Sequence, residues 1–186
     1  MKRVLTTIVL GSSIALSGLA AAQEFFWRDQ GGQPAPDTEA RKSERGFGGW
    51  LVITSDQDWE AKWAVPDELA TPAFNEADTL RFGETVVALI FIVNPSPNRD
   101  GNVNVRCDLR VTRPNGSVSV DQRNLICLEG PLLGDPFNIR VGAPTLQFVG
   151  EPGDAPGTWV FDVTVRDVER GTALNLRSSI ELVGDG

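Results

Sequence analysis

The chain has 186 residues, 41% hydrophobic and 23% charged, the balance of one ordinary globular domain rather than of a disordered or collagen-like polymer. It contains no His and no Tyr, which excludes His-based catalytic triads, His zinc sites and His pH switches. A net charge of −8 argues against nucleic acid as a partner, because phosphate binding needs a basic face.

Met1–Ala22 reads as an export signal. Lys2 and Arg3 form a positive start, Val4 to Leu19 is apolar with small polar interruptions, and Ala20-Ala21-Ala22 fits a small-x-small cleavage pattern. The apolar stretch is short against the roughly 20 residues a bilayer requires, and no Cys follows it to carry a lipid. The expectation is a soluble bacterial protein, periplasmic or extracellular, whose mature form starts at Gln23 and does not insert in a membrane. Cleavage removes two positive charges and no acids, so the mature chain is more acidic still. Residues 23–46 read as a flexible leader with three successive aromatics, Phe25, Phe26 and Trp27. Those aromatics either dock on the body of the domain or form a partner-binding tag.

From Phe47 to Val183 the pattern is all-β. Gly49–Thr54 opens it, and Thr85–Val93 is apolar on both faces, as expected of a strand buried between layers. Asn102–Thr112 alternates, with Val103, Val105, Cys107, Leu109 and Val111 on one side and Asn104, Arg106, Asp108 and Arg110 on the other. Asn115-Gly116 marks a two-residue hairpin turn into Ser117–Leu128. Phe137–Val141, Thr145–Val149, Thr158–Arg166 and Ala173–Val183 complete the strands. Between the first two strands, Ser55 followed by Asp58 resembles an N-cap ahead of one short helical turn, which places Trp59 and Trp63 on one face.

The run Gly157–Val165, the turn after it and Leu174–Leu182 resemble the closing strands of immunoglobulin-like sandwiches. The Cys…Trp…Cys order of antibody domains is absent, because Trp159 follows both cysteines. The resemblance is architectural and transfers no functional residue. The expected fold is a single immunoglobulin-like antiparallel β-sandwich of about 7–9 strands.

Cys107 and Cys127 are the only cysteines, an even count that favours a disulfide in an exported protein. An ideal two-residue hairpin puts Cys107 opposite Asn124, three positions from Cys127 and about 10 Å too far along the strand. Either a bulge shifts the register or Cys127 lies beyond the strand end.

Catalytic chemistry has little support. No His serves a nucleophilic Ser, and the acid groups Asp56/Asp58/Glu60 and Glu151/Asp154 lie in turns, where acids cap backbone N–H groups. The oxygen-rich segment Asn94–Asn102 lacks the flanking helices of a calcium loop, so neither metal nor cofactor is expected. What remains is binding. Trp50, Trp59, Trp63 and Phe74 are one candidate surface, and the outward strand residues Arg106 and Arg110 are another. The expected role is a non-enzymatic interaction or accessory module that binds a protein partner in the cell envelope. The rivals are a carbohydrate-binding module built on Trp59 and Trp63, an inhibitor or immunity protein of a secreted enzyme, and, weakest, a carboxylate-based hydrolase.

Overall fold

The structure, a computed structural model, describes residues 26–28, 32–65 and 73–184. The segment read as an export signal lies outside them, as does Phe25. The described elements are β1 (Trp27–Arg28), β2 (Pro34–Ala35), β3 (Arg41–Glu44), β4 (Phe47–Thr54), α1 (Trp59–Trp63), β5 (Thr79–Arg81), β6 (Thr85–Val93), β7 (Asn102–Thr112), β8 (Val118–Pro131), β9 (Arg140–Val141), β10 (Leu146–Val149), β11 (Gly157–Asp167) and β12 (Thr172–Val183).

Two five-stranded sheets form an all-β sandwich. The first runs β10-β6-β4-β3, with β9 also on β6, and the second runs β5-β12-β11-β7-β8. Short edge strands raise the number above the 7–9 expected, and one pair, β5 with β12, is parallel. The first sheet starts inside the stretch read as leader, because Arg41–Glu44 pairs with Phe47–Trp50. The alternating strands point as their pattern requires. Val105, Cys107, Val111, Trp159, Phe161, Val163, Leu174, Leu176, Ile180 and Leu182 meet Leu51, Ile53, Ile90 and Ile92 in the main core.

β6 is buried on both faces because the molecule has a third layer. Val52, Val87, Leu89 and Phe91 project from the outer side of the first sheet, and Trp59, Trp63 and Phe74 cover them. Next to this, Trp27 and Ala35 close over Val93, with Phe26 and Trp50 against them.

The hairpin between β7 and β8 differs from expectation. The loop has three residues, Pro114–Gly116, bracketed by Arg113 N–H donating to Ser117 O, and Gly116 sits at φ +83°. Such a loop combines a tight turn with a left-handed third residue. β8 then gains residues on β7 in steps, with register shifts between Val111/Thr112, Cys107/Leu109 and Val105/Arg106. Arg106 faces Ile126 and Val105 faces Leu128, so Cys127 is the extra residue of a bulge. That bulge brings Cys127 to a Cα–Cα distance of 5.8 Å from Cys107, and the disulfide forms in the core.

Helix α1 is five residues long. Asp58 precedes it without a side-chain cap, so Ser55 is not the N-cap; the Ser55 N–H instead donates to Asn75 O. Phe137–Ile139 are not strand either, since β9 begins only at Arg140.

Candidate functional site

The tryptophans form packing. Trp50, Trp63 and Phe74 surround Phe91 with ring centroids 5.5–5.6 Å away. Trp50, Trp59, Trp63 and Phe74 are each half-buried and pack against the outer side of the first sheet. Asp56 fastens this cover. It is 7% exposed, and its carboxylate accepts from Asn75 N–H (2.8 Å), Asn75 Nδ2 (2.7 Å) and Lys62 Nζ (2.8 Å). One acid therefore ties α1 to the segment that carries Phe74.

Arg106 and Arg110 lie on the outer face of the second sheet, among acids. Arg106 Nε donates to Asn104 Oδ1, and its guanidinium reaches Glu129 at 3.5 Å. Arg110 stands opposite Asp162 on one side and Asp121 on the other. Arg166 pairs with Asp108, Arg177 with Asp162, and Arg123 with Asp121. This is a solvated ion-pair mesh, and charge on one side is answered by charge on the next strand.

Two of the acids offered for catalysis, Asp56 and Asp154, have local structural duties. Asp154 accepts from Glu151 N–H, and the bonds around Asp56 hold its carboxyl down, the reverse of the raised pKa a general acid needs. In the oxygen-rich loop, Asn98 Oδ1 accepts the N–H groups of Asp100 and Asn102. Among the described residues, no group of three or more Cys, Asp or Glu is placed to hold a metal ion. An open cleft of about 410 Å³ lies at one end of the sandwich, between Ser55, Gln57, Thr79 and Glu84. Two of its polar groups are engaged in the fold: Gln57 Nε2 donates to Thr85 O, and Glu84 accepts from Arg81 N–H.

The feature the sequence did not single out is the loop between β8 and β9. The Arg140 guanidinium is wrapped by this loop and donates to the carbonyls of Leu133, Asp135, Pro136 and Asn138 at 2.6–3.0 Å. Asp135 Oδ1 accepts from Phe137 N–H, Pro136 O accepts from Asn94 N–H, and Gly101 O accepts from Leu132 N–H. A loop tied at so many points is rigid, yet it shows its apolar side chains to water. Leu133 is 75% exposed, Phe137 62% and Ile139 42%. The Phe26 ring adjoins that of Phe137 at 6.1 Å. The sequence pattern places Phe137 and Ile139 in a strand; they lie instead in the loop and are exposed, while Val141 pairs with Phe91 in β9 and packs on the outer cluster.

No protein-family model matches the chain, and no curated protein matches it. Solved structures show partial likenesses. A family 123 glycoside hydrolase from Clostridium perfringens is 14% identical with a TM-score of 0.41, covering 74% of this chain and 28% of its own. A CARDB domain from Pyrococcus furiosus, solved with di-metal ions, is 10% identical at TM-score 0.37, covering 80% of this chain and 99% of its own. The Pseudomonas fluorescens alkylpurine DNA glycosylase AlkC is 14% identical at TM-score 0.36, covering 56% of this chain and 27% of its own. This chain thus spans about a quarter of the hydrolase and of the glycosylase, and likenesses this distant assign neither family nor activity. No helix among the described residues is long and apolar enough to cross a membrane. The disulfide is compatible with a compartment outside the reducing cytoplasm.

Proposed function

We propose that this is an exported, non-enzymatic interaction module of immunoglobulin-like type, which binds a protein partner in the bacterial envelope through the β8–β9 loop. The observation that carries the reading is the rigid display of Leu133 and Phe137. Exposed apolar groups are costly unless something covers them, and holding them in one conformation lowers the entropy lost on docking. The acidic net charge suits a partner with a basic rim and disfavours an anionic lipid surface.

The test places a photo-crosslinking residue at Ile139 in the source cell, with and without Leu133→Asp and Phe137→Asp. One dominant adduct is expected, and each Asp substitution weakens the purified complex by about 30-fold, roughly 2 kcal/mol. No reproducible adduct, or one that survives both substitutions, overturns the reading. Trp59→Ala in the same assay changes stability and leaves the adduct in place; an adduct lost with Trp59→Ala in a folded chain moves the surface to the tryptophan cover.

A further inference from the structure

We infer that the slot holding Phe26 and Trp27 is also a docking site for the same arm of a second copy, so that two chains exchange N-terminal arms. The slot exists because residue 48 has no side chain. A Cβ on Gly48 would lie 2.4 Å from Phe26 Cε1 and 3.0 Å from Trp27 Cζ2. Val93 faces Gly48 across the ladder, Trp50 lies two residues along β4, and the Arg41 guanidinium sits 5.5 Å from the Trp27 ring and 6.0 Å from the Trp50 ring. Trp27 is thereby 8% exposed, close to full burial.

The arm fits by shape but is tied weakly. Its ladder is the two-residue pairing of Trp27–Arg28 with Pro34–Ala35, a hairpin that travels with the arm. Among the described residues, the arm has no ladder to either sheet. The docked state also leaves Trp27 Nε1 and Arg41 Nε buried without hydrogen-bond partners, and each such donor costs its desolvation. The chain becomes firmly fixed only after the hairpin, where Thr38 N–H donates to Arg41 O and Glu39 O accepts from Arg177 N–H. Asp37 is held as well, its carboxylate accepting from Ser43 N–H and Ser43 Oγ, so the natural hinge is Pro36, whose carbonyl takes only one long bond of 3.4 Å from the Arg41 guanidinium. What the rings touch, apart from their own hairpin, belongs to the sandwich: Gly48, Trp50, Val93 and Phe137. Identical surfaces are available on a second copy, so exchange repeats the same contacts, and concentration decides between the closed and the exchanged form.

The test needs only purified mature chain and is independent of any envelope partner. Gly48→Val closes the slot and leaves the arm intact; Phe26→Ala/Trp27→Ala disables the arm and leaves the slot open. Each variant alone is expected to sediment as a monomer. Mixed in equal amounts at roughly millimolar concentration, the scale set by a short tether, they are expected to form a heterodimer. In the ¹⁵N spectrum of the slot-open variant, the Trp50 indole N–H then shifts. A mixture that stays monomeric with an unmoved Trp50 signal overturns the proposal. Should Gly48→Val fail to fold, Gly48→Ala takes its place. The synthetic peptide of residues 23–36, which carries the whole hairpin, added to the slot-open variant is an independent arm of the test: a saturable Trp50 shift supports the proposal, and its absence overturns it.

Discussion

Asp56 shows how one side chain can decide whether a layer stays attached. Burial pushes its carboxyl up, but the Lys62 ammonium and the two N–H donors of Asn75 outweigh that and draw the pKa from 3.8 down to about 2. A carboxyl held below its unfolded value contributes its stability in full above about pH 4 and loses it as pH falls through about 2. Asp56→Asn is therefore expected to cost about 2 kcal/mol at neutral pH, with the gap to the native chain narrowing between pH 4 and 2. Urea unfolding at stepped pH measures this, and a gap independent of pH would contradict it. The sequence displayed Asp56, Asp58 and Glu60 as one acidic group. It did not reveal that Asp56 alone is buried, since Asn75, the partner that makes burial tolerable, lies 19 residues further on.

The same limit operates on elements. Alternation exposed β7, β11 and β12 almost to the residue, because a half-buried strand must repeat every second position. The registers between strands were harder to read. Nothing local marks Cys127 as the extra residue of a bulge, yet the mismatch of three positions in an ideal hairpin required a bulge or a strand end, and a bulge is what is found. Replacing both cysteines with Ala is expected to cost about 3 kcal/mol for a loop of 20 residues, read as a fall in melting temperature of roughly 6–12 °C. Arg140→Ala should behave in the opposite way. The carbonyls it releases sit in an exposed loop and turn to water, so global stability changes by less than about 1 kcal/mol. Hydrogen exchange at Phe137 and Asn138, whose N–H groups now bond to Asp135, should nevertheless accelerate at least tenfold. Unchanged exchange there would mean that the loop is rigid without its arginine.

At the scale of the molecule, the first sheet is the middle layer of three. That β6 is apolar on both faces was legible; what covers its second face was not. The cover comes from Trp27, from Trp59 and Trp63, and from Phe74, three pieces each too short to show a period. The two apolar interiors make separate contributions. Phe91 belongs to the outer one and touches Trp50, Trp63 and Phe74, while Phe161 belongs to the inner one beside Phe148. Truncating either to Ala removes a fully packed ring and is expected to cost about 3–5 kcal/mol. The consequences for the native state should differ. With Phe91→Ala the cover loses its common contact, so Trp50, Trp59 and Trp63 become more open to acrylamide quenching before global unfolding begins. With Phe161→Ala the cover keeps Phe91, and native-state quenching stays as it was. Equal quenching in the two variants would show that the cover and the sandwich melt as one unit. A cover that loosens first would make the outer layer, with its N-terminal arm, the part of this fold most easily moved.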